Sequence, residues 1–95
     1  MKILLTGGSG MVGKNILNFA KAKDYYFLAP TSKELNLLNY KNVTDYIKEN
    51  RPDFIIHAAG KVGGIQANIA EPVRFLVDNL DMGRNIIMVA RAKII

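Results

Sequence analysis

A parallel α/β sheet wound with helices on both faces is the fold class this sequence predicts, and three observations predict it. The chain alternates short apolar runs with helix-period segments, joined by short connections and without a low-complexity linker. Its first run, Lys2-Ile3-Leu4-Leu5-Thr6, leads directly into Gly7-Gly8-Ser9-Gly10-Met11-Val12-Gly13, a glycine turn that opens an amphipathic segment. A later run, Phe54-Ile55-Ile56-His57-Ala58-Ala59, is almost continuously apolar, as are parallel strands covered on both faces.

Taken in order, Lys2 to Thr6 is the first strand. Val12, Ile16, Phe19 and Ala20 then recur at helical spacing, with Lys21, Lys23 and Asp24 marking the exposed end of a first helix. Tyr25 to Ala29 reads as strand two, closed by Pro30-Thr31-Ser32-Lys33, and Glu34 to Leu38 as a short extended piece. Asn39 is placed to cap a helix from Tyr40 to Asn50, which Arg51-Pro52-Asp53 ends. Phe54 to Ala59 follows and is expected to be the central strand. Pro72 suits the first turn of a long helix reaching about Ala92, with Glu71 favourably placed for its dipole. Two apolar stripes run along that helix: Leu76, Leu80, Gly83, Ile87 and Ala90, and Phe75, Met82, Ile86 and Val89. One sheet contact does not use both, so a second packing partner is expected, and a homodimer built partly on this helix follows.

A doubly wound sheet usually needs more strands than 95 residues supply. The expectation is an incomplete domain, residues 1–95 forming the N-terminal half of a Rossmann-like doubly wound parallel sheet. With 49% apolar and 22% charged residues the composition is that of an ordinary globular chain. No apolar run reaches membrane-spanning length and Met1-Lys2 leads into a strand rather than a secretory segment, so a cytoplasmic location is expected. Zero cysteines exclude disulfides and thiolate metal sites, and a single histidine excludes a multi-histidine one. The net charge of +5 is spread over single basic residues such as Lys14, Lys21, Lys48, Arg74 and Arg84, with Asp45, Glu49, Asp78 and Asp81 between them. No basic stripe results, so nucleic-acid binding is not expected.

The glycines follow a G-x-x-G-x-x-G spacing. In a strand-to-helix turn, Gly7 would permit the tight turn, Gly10 the approach of a pyrophosphate and Gly13 close packing of the helix, while the helix N-terminus offers free N–H donors to the anion. At the end of strand two, where an acid would read the ribose hydroxyls of NAD, stand Thr31, Ser32 and Lys33; this favours NADP, with Glu34 near enough to keep NAD open. Lys61 follows the strand end Ala58-Ala59-Gly60 and either touches a ribose or phosphate or points to solvent. His57 reads as a hydrogen-bonded core residue without a catalytic role, and Asn79 as a polar side chain held by backbone on an apolar helix face.

The segment Thr6-Gly7-Gly8-Ser9-Gly10-Met11-Val12-Gly13 with His57-Ala58-Ala59-Gly60 downstream resembles the extended short-chain dehydrogenase/reductase family. Lys61-Val62-Gly63-Gly64-Ile65, Ala67-Asn68, Pro72, Phe75, Asn79, Asn85-Ile86-Ile87 and Glu34-Leu35-Asn36-Leu37-Leu38 narrow the likeness. They resemble its NADP-dependent epimerase-reductases, which convert GDP-4-keto-6-deoxy-D-mannose to GDP-L-fucose. Another nucleotide-sugar epimerase or dehydratase of the family, or a silent NADP-binding fragment, is the alternative. The resemblance implies that Gly7, Gly8, Ser9, Gly10, Met11, Val12 and Gly13 hold the cofactor pyrophosphate. Ser32, Lys33, Asn36 and Leu37 would surround the adenosine and its phosphate, and Ala58, Ala59, Gly60 and Lys61 would lie along a ribose. It also implies a nucleotide-sugar substrate, and catalytic Ser, Tyr and Lys beyond residue 95, so that no catalytic residue is named here and these residues alone are expected to be inactive.

Overall fold

The computed structural model describes residues 1–19, 23–60 and 70–94. Three parallel strands, β1 (Lys2–Thr6), β2 (Tyr26–Leu28) and β3 (Phe54–His57), form one sheet in the order β2-β1-β3. Helix α1 (Met11–Asn18) connects β1 to β2, α2 (Tyr40–Asn50) connects β2 to β3, and α3 (Pro72–Ile94) follows. The first crossover steps to one side of β1 and the second passes back over it. Right-handed connections in opposite directions place α1 on one face of the sheet and α2 on the other, which is the doubly wound arrangement.

The strand order corrects one expectation. β1, not β3, is central: Ile3, Leu4, Leu5 and Thr6 are all buried, whereas Phe54 and Ile56 on β3 are exposed. An apolar run records how much of a strand can be covered, but its place in the sheet is set by the crossovers on either side. Ile3 pairs with Phe27 and Phe54, and Leu4 with Leu28 and Ile55. Because side chains alternate across a strand, Leu4, Leu28 and Ile55 share the face on which the core gathers. Leu35, Leu37, Val43, Ile47, Met82, Ile86 and Val89 complete that cluster, so α2 and one stripe of α3 close over the same side of the sheet.

Local chemistry explains the element ends. The Asn39 side chain accepts the Asn42 N–H at 3.1 Å and caps α2; Arg51 leaves that helix with φ 47°, its N–H on the Ile47 carbonyl. Asp53 then clips β3 to β1, its N–H on the Lys2 carbonyl at 2.8 Å and its carboxylate accepting the Lys2 N–H at 2.8 Å. Glu34 to Leu38 is not extended, as the sequence suggested, but a pair of turns that dip Leu35 and Leu37 into the core. α1 is also shorter than expected. It ends at Asn18, with Val12 and Phe19 exposed, Gly13 buried and Ile16 and Leu17 half-buried, so the helix packs through Gly13, Ile16 and Leu17 rather than through a Val12–Phe19 face. Strands two and three end at Leu28 and His57, short of the expected Ala29 and Ala59.

Candidate dinucleotide cleft

All three strands run the same way, so the turns leaving their carboxyl ends meet on one edge of the sheet, and there they enclose a cleft of about 690 Å³. This volume lies in the range of small-molecule and cofactor sites. The strand order β2-β1-β3 reverses direction at β1, and ligands of such sheets sit beside that point of reversal.

The floor is the glycine turn. Gly7 has φ +75°, and a Cβ there would lie 2.6 Å from Ala59 N and 2.7 Å from Ala58 C, so only glycine lets the β1 turn rest on the end of β3. A Cβ on Gly13 would run into the Gly7 carbonyl oxygen and come within 2.7 Å of Gly8 Cα, which locks the start of α1 onto the turn. Gly10 differs: its Cβ would meet only the Gly7 carbonyl oxygen at 3.4 Å, because that side opens into the cleft. It is the N-cap of α1, and with no side chain capping the helix and no acid in its first turn, the first N–H groups of α1 are left to an anion.

The wall beyond β2 is pinned from behind. Asn36 N–H donates to Asn42 Oδ1, Asn36 Oδ1 accepts the Leu38 N–H, and Asn85 Nδ2, buried on α3, donates to the Leu37 carbonyl at 2.8 Å. At the mouth, Thr31 and Glu34 close on each other: the Thr31 N–H donates to Glu34 Oε1 at 3.0 Å, and the Glu34 N–H to Thr31 Oγ1 at 3.3 Å. The Thr31 backbone N–H on the carboxylate foremost, and the Thr31 side chain beside it, hold the Glu34 carboxyl below its usual 4.5. The carboxylate is thus turned back on its own loop and does not line the cleft, while Ser32 does.

Of the residues singled out in the sequence, Gly7, Gly8, Ser9, Gly10, Met11 and Val12 line the cleft, as do Ser32, Asn36, Leu37, Ala58, Ala59 and Gly60. Gly13 lies behind the turn and Lys33 stands outside the lining; Lys61 falls outside the described residues. Asn79 is half-buried, with Oδ1 3.4 Å from where a Cβ on Gly60 would stand.

The model of the NAD dependent epimerase/dehydratase family matches residues 3–95. The chain belongs to that family. Among epimerase/dehydratase relatives, the GDP-L-colitose synthase of Yersinia pseudotuberculosis is 62% identical over 91 residues, which are 96% of this chain and 30% of the relative. The GDP-L-fucose synthase of Azorhizobium caulinodans is 49% identical over 87 residues, 92% of this chain and 28% of the relative. The GDP-mannoheptose C4 reductase from Campylobacter jejuni, solved with NADP bound, superposes with a TM-score of 0.85 at 28% identity, over 96% of this chain and 29% of that one. The chain thus spans less than a third of the length of these proteins, over their N-terminal Rossmann-like part.

Within this family member, Thr31 and Leu35, which the sequence placed in the segment around the adenosine, also line the cleft, and sequence reasoning missed Thr6, Pro30, Leu38 and Met82. Pro30 adjoins Thr31 and Ser32, so the turn after β2 carried the signal; Met82 reaches the cleft from α3, 50 residues along the chain from Ser32, and no local pattern announces it. His57 is corrected as well. It is exposed as a residue, not a core histidine, although its Nδ1 lies 2.7 Å from Thr6 Oγ1 and partial burial pushes its pKa below 6.5.

Proposed function

We propose that residues 1–95 are the NADP-binding portion of an epimerase-reductase that converts GDP-4-keto-6-deoxy-D-mannose to GDP-L-fucose. The observation that carries the reading is the cleft itself: a glycine floor open to a phosphate at Gly10, uncapped N–H donors at α1, and a mouth beside which the acid Glu34 is engaged with Thr31. The donors suit a pyrophosphate, and Ser32 lining the mouth where a ribose-reading acid would stand suits a 2′-phosphate. The names of the relatives supply the GDP-sugar. Gly7 to Val12 would hold the pyrophosphate, Ser32, Asn36 and Leu37 the adenosine end, and Ala58 to Gly60 a ribose. Bound there, the cofactor supplies hydride to a carbonyl. The chain's own groups position it: Gly7 and Gly13 fix the turn, and the Asn85–Leu37 bond holds the adenosine wall.

A second reading, GDP-L-colitose as product, is favoured by the 62% identity to a protein of that name. Under either reading no turnover is expected from residues 1–95 alone, since no Tyr-x-x-x-Lys pair occurs among them. The enzyme would be cytoplasmic and homodimeric. Calorimetric titration with NADP⁺ and NAD⁺ tests the cofactor: roughly tenfold or tighter binding of NADP⁺ is expected, and equal affinities refute the choice. Chromatographic identification of the GDP-sugar formed by the protein as its gene encodes it separates the two products.

A further inference from the structure

Thr6 ends β1 with 2% of its surface exposed, where β1 and β3 deliver their turns to the cleft. Its hydroxyl oxygen accepts the Ala59 N–H at 3.2 Å and lies 2.7 Å from His57 Nδ1. A hydroxyl has one proton to give and two lone pairs. With one lone pair taken by Ala59, the hydroxyl and Nδ1 are both satisfied when Thr6 O–H donates to Nδ1 of a neutral imidazole whose proton sits on Nε2. A second proton on the ring places a donor at Nδ1. Thr6 must then accept from both sides, and its own proton has to find another acceptor in a buried position, at the cost of an unmade hydrogen bond.

The consequence reaches the cleft because Ala59 is the residue on which Gly7 rests; a Cβ at Gly7 would stand 2.6 Å from Ala59 N. We infer that Thr6 and His57 form a protonation-sensitive clasp that positions the Ala58-Ala59 wall against the glycine turn, so that ligand affinity falls when His57 takes up a proton. The inference rests on the dinucleotide reading of the cleft. Among the described residues, Thr6 faces the ring from β1 and Gly83 from α3, where a Cβ would lie 4.0 Å from Nε2, and neither titrates. Burial is the influence that lowers the His57 pKa. The unfolded chain therefore takes up the proton first as pH falls, so the stability that the neutral, part-buried ring contributes is full above about 6.5 and is lost on acidification towards the lower folded value.

The test compares NADP⁺ affinity at about pH 7.5 and about pH 5.5 in the wild type, His57→Asn, Thr6→Ser and Thr6→Val. The 2′-phosphate itself titrates near about pH 6, and His57→Asn, which cannot protonate, records that contribution alone. The wild type and Thr6→Ser are expected to lose roughly threefold more affinity on acidification than His57→Asn does. Thr6→Val is expected to show the His57→Asn ratio. Equal ratios in the wild type and His57→Asn overturn the clasp. Nitrogen-15 spectra of the ligand-free protein give a second readout: Nε2-protonated His57 and an Ala59 amide shift that follows the ring's titration are expected, and an Nδ1-protonated ring or an unresponsive Ala59 overturns the inference. If NADP⁺ binds at neither pH, the cofactor reading fails, and the Ala59 shift alone then decides the clasp.

Discussion

At the scale of single residues, the three spaced glycines do three different jobs, and the atoms around them separate those jobs experimentally. A methyl group on Gly13 meets backbone on the Gly7 and Gly8 side, with no flexible side chain to yield. Gly13→Ala is therefore expected to destabilise the fold by about 1–3 kcal/mol, read from urea unfolding. A methyl group on Gly10 meets one carbonyl oxygen at an ordinary contact distance and otherwise fills the cleft. Gly10→Ala is expected to leave stability within about 0.5 kcal/mol of wild type while weakening NADP⁺ binding severalfold. Unchanged affinity in a stable Gly10→Ala protein would show that no phosphate approaches there. The glycine roles were legible in the sequence because a strand-to-helix turn allows few backbone routes. The fate of Glu34 was not: an acid beside the adenosine end reads the same in sequence whether it faces a ribose or, as here, folds back on Thr31.

Elements carry the next level of organisation, and their ends show where sequence logic suffices. The bounds of α2 match the expected Tyr40 to Asn50 because a capping Asn39 and the Arg51-Pro52 pair act locally. The centre of the sheet did not match, since strand order depends on two crossovers and no single run encodes it. The joint between α3 and the turns after β2 lies in the same non-local class. Asn85 is 5% exposed and donates to the Leu37 carbonyl at 2.8 Å, between positions 48 apart in the chain. Asn85→Ala would leave that buried carbonyl without its partner, and Asn85→Asp would set an acceptor against it. A loss of about 1–3 kcal/mol is expected for the alanine variant and more for the aspartate, by urea unfolding. The wall of the cleft is anchored through this bond, so NADP⁺ affinity is expected to fall with it. Destabilisation with unaltered affinity would detach the bond from the site.

For the molecule as a whole, the most consequential feature is that α3 has two apolar faces and the sheet uses one. Met82, Ile86 and Val89 are buried in the core, whereas Val73, Leu76, Val77, Leu80 and Ile87 are exposed along the other side. Those five positions follow helical spacing closely enough to make one stripe. Burying a Leu or Ile side chain contributes about 1.5–3 kcal/mol, and a few of them together match the roughly 4–15 kcal/mol that association costs. Reversible self-association is the expected consequence, with two copies of α3 covering each other. Sedimentation velocity across a wide concentration range should show a mass that rises with concentration. Leu80→Lys and Ile87→Lys should abolish that rise without loss of urea stability, because both side chains point away from the core that Met82 and Ile86 fill. A monomer at every concentration, indifferent to these substitutions, would instead assign the stripe to a contact within a longer polypeptide. The relatives, more than three times the length of the matched segment, have ample chain for such a cover.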